Sequence, residues 1–115
     1  MTYSEYLADR VRNSLTSSHI SFREKEMFGG ICFMVNDKML MGVIKDNLMV
    51  RIDPLKQDEY LKERGCSLMD FTKRTMKGYL NIDPKGVDMD EDLDKWITRC
   101  MKFNPFAKSS KKNGR

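Results

Sequence analysis

The chain has 115 residues, enough for one domain and too few for two. With 40% hydrophobic and 33% charged residues it can form a core, so its composition excludes a wholly disordered chain. The net charge of +4 comes from residues 108–115, which hold four basic residues and no acidic one. Because 17 basic and 17 acidic residues remain before them, we expect a neutral domain over 1–107 and a flexible basic tail over 108–115.

The first predicted helix covers residues 3–15. Its apolar residues recur at every fourth position and form one stripe, which consists of Tyr3, Leu7, Val11 and Leu15. Thr2 or Ser4 has the short polar side chain that caps a helix start. We therefore expect an amphipathic helix with one face packed on a core, followed by a polar loop.

Residues 21–52 contain no helical pattern. They divide into four short apolar runs that are separated by a glycine pair at 29–30 and by polar turns at 36–38 and 46–47. Runs of about five to seven residues joined by such short turns are typical of an antiparallel meander. This part of the chain therefore predicts four strands.

A second helix is predicted after Ile52, because Asp53 suits a helix cap and Pro54 suits the first helical turn. We expect its inward face to be formed by Leu55, Tyr60 and Leu61, and we expect Gly65 to end it at the C′ position. Two short strands then follow, one at Phe71 and one over 76–82, with residues 72–75 between them.

The last helix has the clearest pattern. A single apolar face is formed by Leu93, Trp96, Ile97, Cys100 and Met101. Acidic residues crowd its start between 88 and 94, where they complement the positive end of the helix dipole. The predicted order is α-β-β-β-β-α-β-β-α, an α+β fold in which the helices lie on one face of an antiparallel sheet in two layers.

The residues that carry chemistry form no recognisable set. The three cysteines, Cys32, Cys66 and Cys100, lack a C-x-x-C pair and His19 is the one histidine, so we predict no metal site and no catalytic residue. The glycine motifs lack the G-x-G-x-x-G spacing, so we predict no dinucleotide, S-adenosylmethionine or other cofactor. Free cysteines and the absence of a signal peptide indicate a cytoplasmic bacterial protein, with no membrane partner.

Two features could serve binding. Ten methionines are present and several fall on predicted strands, where they either fill a core or form an adaptable surface on the face that the helices leave open. A second surface is basic. It would use the central cluster and the tail for weak nucleic-acid contact, and it comprises Lys73, Arg74, Lys77, Lys108, Lys111 and Lys112.

Five segments carry a family resemblance over about residues 3–106: 7–12, 25–35, 48–51, 76–84 and 93–97. The motif residues within them are Met27, Phe28, Gly29, Gly30, Met76, Gly78, Tyr79 and Trp96. In these segments the chain resembles the TfoX/Sxy family, specifically the N-terminal domain of those competence regulators and its free-standing small relatives.

The resemblance implies a secretion-chaperone-like fold, with a curved antiparallel sheet and flanking helices, in a class whose members often dimerise. It also implies a link to competence gene expression and no catalytic activity. The family's regulators carry a second, C-terminal domain, and we expect this chain to consist of the first domain alone.

Our first hypothesis is a non-enzymatic regulatory domain that binds another protein, or a second copy of itself, through its sheet. The alternative is an accessory protein that binds nucleic acid weakly through the basic residues. The third is a small-molecule enzyme, which would need a pocket that joins His19, an arginine and a carboxylate.

Overall fold

A single six-stranded sheet forms the centre of the computed structural model, which describes residues 3–27, 29–71 and 74–107. The strands are β1 (Arg23–Met27), β2 (Gly30–Val35), β3 (Lys38–Ile44), β4 (Asn47–Arg51), β5 (Cys66–Phe71) and β6 (Arg74–Ile82). All neighbouring strands run antiparallel in the order β1-β2-β3-β4-β6-β5. The two edges of the sheet are therefore β1 and β5.

The turn between β2 and β3 follows from its sequence. Asn36 and Asp37 have φ of 56° and 64°, the left-handed conformation that a two-residue hairpin requires. Asparagine and aspartate tolerate it better than most side chains do. The predicted turn is confirmed, and so is the predicted four-strand meander.

Three helices accompany the sheet: α1 (Glu5–Ser17), α2 (Gln57–Tyr60) and α3 (Asp90–Phe103). The hydroxyl of Ser4 caps α1 by accepting from the backbone N–H of Leu7 at 3.1 Å. Helices α1 and α3 lie side by side, where Arg10 contacts Asp90 at 3.2 Å and Ser14 contacts Asp94 four residues further along each helix. The predicted α+β fold and its element order are confirmed, although α1 begins and ends two residues later than expected.

The main core lies between the helices and one face of the sheet. Leu7, Val11 and Leu15 of α1 and Leu93, Trp96, Ile97 and Cys100 of α3 are buried in it. They pack against aliphatic strand residues that include Val43, Leu48, Val50, Leu80 and Ile82. Within the described residues no helix is long and apolar enough to cross a membrane.

The second predicted helix differs from the structure. A 3-10 turn over Pro54–Lys56 precedes the four-residue α2, so Leu55 is 88% exposed and does not face inward. The helix ends at Tyr60, well before Gly65, which instead lies in the turn into β5 with φ of +76°. A β-carbon at Gly65 would lie 2.7 Å from the backbone nitrogen of Gly86, so this close contact requires glycine. Strand β5 accordingly begins at Cys66 rather than near Phe71.

Candidate interaction site on the sheet

The sheet face opposite the helices is rich in sulfur. Its buried residues are Cys32, Met34, Met39, Met49 and Met69, and partly buried Met27, Ile44 and Tyr79 pack against them. We call this set the methionine face. Six of the eight residues carry sulfur, whereas the helix-side core is mostly leucine, valine and isoleucine.

Of the two roles considered for the strand methionines, filling a core is the one that the structure shows. Met34 is 8% exposed and Met49 is 1% exposed. Cross-strand pairing explains part of the burial, because Met34 lies directly opposite Met39 and Cys32 lies opposite Gly42. A β-carbon at Gly42 would lie 3.0 Å from the sulfur of Cys32, so the thiol occupies the space beside the glycine. The methionine face is a second packed core, and a partner that bound it would first have to open it.

Burial also makes the cysteines poor nucleophiles. Desolvation raises the pKa of Cys32 to about 11 and that of Cys100 to about 12. Burial, with the nearby Glu63 carboxylate, raises the pKa of Cys66 to about 11. All three thiols are therefore protonated at neutral pH, whereas nucleophilic catalysis needs the thiolate.

The glycine-bearing motif in β6 organises one corner of the sheet. Gly78 has φ of +87°, its N–H donates to the side-chain oxygen of Gln57 at 2.7 Å, and its carbonyl accepts from Ile52 at 2.8 Å. Tyr79 packs on the methionine face with the Arg51 guanidinium 5.5 Å from its ring centre. The motif thus connects β6 to both α2 and β4. Met76 lies in β6, but its side chain is outside the described residues.

The first glycine motif has two separate structural requirements. Gly29 has φ of +75° and open space around its α-carbon, whereas a β-carbon at Gly30 would lie 2.1 Å from the carbonyl oxygen of Val43. Met27 is partly buried on the methionine face, and Phe28 lies outside the described residues. These motif residues therefore build the sheet.

Trp96 lies in α3 and belongs to a cluster on the helix side of the sheet. The Arg99 guanidinium lies 4.7 Å from the Trp96 ring centre and 4.0 Å from that of Tyr60. Arg99 also binds Glu63 through two bonds of 2.7 and 2.9 Å, and Lys95 binds Glu63 at 2.9 Å. These bonds, that of Arg99 foremost, hold the pKa of Glu63 below its usual range. Sequence reasoning missed Glu63 and Arg99, because their 36-residue separation gives no local signal.

The two edges of the sheet differ sharply in charge. Strand β1 presents four consecutive charged and exposed residues, from Arg23 to Glu26, and Arg12 of α1 binds Glu24 across it at 2.7 and 2.9 Å. Charged side chains of this kind protect a sheet edge from pairing with other strands. In β5 the one charged residue is Asp70, and Leu68 is 43% exposed. The edge at β5 therefore lacks the protection that β1 has.

The backbone of β5 is also regular enough to pair with a further strand. Leu68 pairs with Leu80 and Asp70 pairs with Thr75, so one residue of β5 faces four residues of β6. The extra residues that break the register therefore lie in β6. Because β5 itself stays continuous from Cys66 to Phe71, its outer side can accept another strand.

Most of the residues predicted to contact nucleic acid lie outside the described part of the chain. Lys77 is exposed in β6, and Arg74 begins that strand with a side chain outside the described residues. Lys73, Lys108, Lys111 and Lys112 also lie outside the described residues. Lys77 is therefore the one member of this set whose side chain the structure describes.

A groove of about 440 Å³ runs between α1 and α3. Arg10, Asp90 and Asp94 line it, but His19 does not, so the trio that the enzyme hypothesis requires is not assembled there. No group of three or more histidine, cysteine, aspartate or glutamate side chains suited to a metal occurs among the described residues.

Comparison with known families gives one finding. The sequence model of the TfoX N-terminal domain matches residues 14–104, from the last turn of α1 to just past the end of α3. No curated protein and no solved structure matches the chain. The matched span includes every strand of the sheet.

Proposed function

This chain belongs to the TfoX N-terminal domain family, and on that premise we propose that it is a non-catalytic regulatory domain that binds a protein at β5. The family points to a competence-related or regulatory role. The contrast between the two sheet edges carries the choice of surface. One edge is covered with charge, and the other is a continuous strand with an exposed leucine.

Strand addition is the binding mode that this edge supports best. An extended segment that pairs with an open strand gains backbone hydrogen bonds along its length, and side chains on the same face add specificity. Leu68 pairs with Leu80, whose side chain lies in the helix-side core. Leu68 is therefore on the helix side of the sheet, but at its edge, where it stays exposed. A partner strand would therefore bury Leu68 against an apolar residue of its own.

The proposal is tested by complementation in the source organism. Transcript profiles are compared between a deletion strain and strains that express the wild type, Leu68→Lys or Leu55→Lys. Lysine at 68 places on β5 the kind of residue that protects natural edges. Leu55 is the matched control, since it is an 88% exposed leucine outside the sheet.

We expect the wild type and Leu55→Lys to restore the transcript profile and Leu68→Lys to leave it as in the deletion strain. An unchanged profile after deletion would refute a regulatory role. Full restoration by Leu68→Lys would refute β5 as the binding surface.

A further inference from the structure

The groove between α1 and α3 continues beyond both of its ends. Its central cavity of about 440 Å³ shares Ser18 and Asp94 with a cavity of about 490 Å³ toward the end of α3. At the other end it shares Tyr6 and Arg10 with a cavity of about 270 Å³ near the start of both helices. We call these three cavities together the helix groove. None of its described lining residues belongs to β5, so this surface is separate from the edge proposed above.

The helix groove is apolar at one end and acidic along the rest of its length. Ile20, Ile97 and Met101 line the cavity toward the end of α3. Among the described residues, the charged side chains that line the groove are four acids and two bases: Asp46, Asp88, Asp90, Asp94, Arg10 and Lys102. Such a surface suits lysine, whose aliphatic stem packs on apolar side chains while its ammonium group reaches a carboxylate.

Most of these carboxylates have no cation beside them. Arg10 binds Asp90 at 3.2 Å, yet the side chain of Asp90 is 93% exposed. Asp94 accepts a hydrogen bond from the hydroxyl of Ser14, and no described cation forms an ion pair with it. The helix groove therefore keeps an excess of negative charge within the described part of the chain.

The chain leaves the folded domain beside the apolar end of this groove. Lys102 lines that end, and Ala107, the last described residue, follows five residues later. Ala107 is buried and its N–H donates to the carbonyl of Asn104 at 3.1 Å, so a tight turn keeps it close to the end of α3. Residues 108–115, with four basic side chains and no acidic one, start from this point.

We propose that residues 108–115 bind in the helix groove of the same chain, with their basic side chains against its carboxylates. An extended chain advances about 3.3 Å per residue, so Lys111 and Lys112 can reach about 13–17 Å from Ala107. Asp94 lies eight residues of α3 before the last groove residue of that helix, which is about 12 Å. The length of the tail therefore matches the distance to the carboxylates, and the lysine stems pass the apolar wall on the way.

Docking of this kind is an autoinhibitory contact. The net charge of +4 comes from residues 108–115, and in the docked state these cations are paired within the chain. They are then withheld from an anionic partner, and the helix groove is closed to any other basic segment.

Cleavage by trypsin measures docking in the full chain. Trypsin must take up a lysine side chain before it cleaves, so cleavage after Lys111 and Lys112 follows the fraction of undocked tail. The variant is Asp90→Asn combined with Asp94→Asn. The matched control is Glu91→Gln, which removes an exposed carboxylate from the same end of α3 but outside the groove. We expect the double variant to be cleaved about fivefold faster than the wild type, because a few exposed ion pairs together stabilise docking by about that factor, and we expect the control to keep the wild-type rate.

Salt provides a test that needs no variant. Raising the ionic strength from about 0.02 M to about 1 M screens exposed ion pairs, so cleavage of the wild-type tail should accelerate about fivefold. A synthetic peptide of residues 105–115 has no groove, should show no such acceleration and corrects for any effect of salt on trypsin. Because docking within one chain has a fixed effective concentration, the rates must agree at about 1 μM and about 100 μM protein.

Carbodiimide cross-linking locates the tail. The reagent joins a carboxylate to an amine that is held in contact with it, so peptide mapping should show Lys111 or Lys112 joined to Asp90 or Asp94 at least about ten times as often as to Glu91. Cross-links mainly outside the groove would overturn the proposal.

Two results of the cleavage experiments would also overturn it. The first is equal cleavage of the wild type and the folded double variant, and if that variant does not fold, a wild type that salt leaves unaffected has the same meaning. The second is protection that appears only as the protein concentration rises, because the occupant of the groove would then be the tail of another copy.

Discussion

The adjacent glycines 29 and 30 should respond very differently to alanine. At Gly29 the added methyl group meets nothing within 4 Å, so the cost is that of a left-handed φ of +75°, about 1 kcal/mol. At Gly30 the methyl carbon would lie 2.1 Å from the Val43 oxygen and 2.9 Å from a side-chain carbon of Ile44. Because β2 and β3 must separate to admit it, overpacking and weakened ladder hydrogen bonds together cost about 3 kcal/mol.

Urea unfolding measures both costs. With a slope of about 1.5 kcal/mol per molar, Gly29→Ala lowers the midpoint by about 0.7 M and Gly30→Ala by about 2 M. Gly29→Asn is the matched control and should cost less than Gly29→Ala, because asparagine tolerates the left-handed region. The reasoning is refuted if Gly29→Ala is as costly as Gly30→Ala, or if Gly30→Ala lies within about 0.5 kcal/mol of the wild type.

Three further predictions concern other parts of the chain. Asn104→Ala removes side-chain bonds to the Val35 carbonyl (3.1 Å) and to Asn36 (2.8 Å), and should cost about 2 kcal/mol in urea unfolding. Glu63→Gln should lower the free energy of unfolding by about 1–2 kcal/mol at pH 7. Because the pKa of Glu63 is lowered in the folded state, the difference between variant and wild type should shrink as the pH falls below the ordinary glutamate value of about 4.3 and vanish below the lowered pKa. A difference that stays constant with pH contradicts this. Removal of residues 108–115 should abolish any gel shift of duplex DNA at low salt, and equal binding by both forms rejects a role for the tail.

The sequence predicts elements well where the signal is local. The Ser4 cap, the turn at Asn36 and Asp37 and the apolar face of α3 each depend on residues within a few positions of one another. Caps, turns and apolar helix faces depend on the chemistry of neighbouring residues, so they can be predicted without knowledge of the fold. The TfoX resemblance rests on segments spread along the chain, and the family match over residues 14–104 confirms that resemblance.

Features that depend on distant contacts could not be predicted in this way. Gly65 has the residue type of a helix end, but it is needed because the backbone of Gly86 comes close to it. Leu55 follows a helical apolar pattern, yet the helix around it is too short to turn it toward the core. The unprotected edge at β5 is also invisible beforehand, since strand order decides which strand lies outermost.

Methionine oxidation tests whether the methionine face is closed in solution. Hydrogen peroxide attacks exposed thioethers, and Met89 is 57% exposed whereas Met34, Met39 and Met49 are each less than 9% exposed. We expect peptide mapping to show Met89 converted to its sulfoxide at least about ten times faster than these three. The unfolded chain in urea is the control, where all four should react at similar rates.

The result also bears on where a partner binds. If Met34 and Met39 react as fast as Met89, this face opens readily and becomes the better candidate surface. If they stay protected until global unfolding, a partner on this face would have to disrupt buried cross-strand pairs before it gained any contact. Binding at β5 needs no such disruption, because the strand is continuous and Leu68 is already exposed. Slow oxidation of the methionine face would therefore favour β5 over this face as the binding surface.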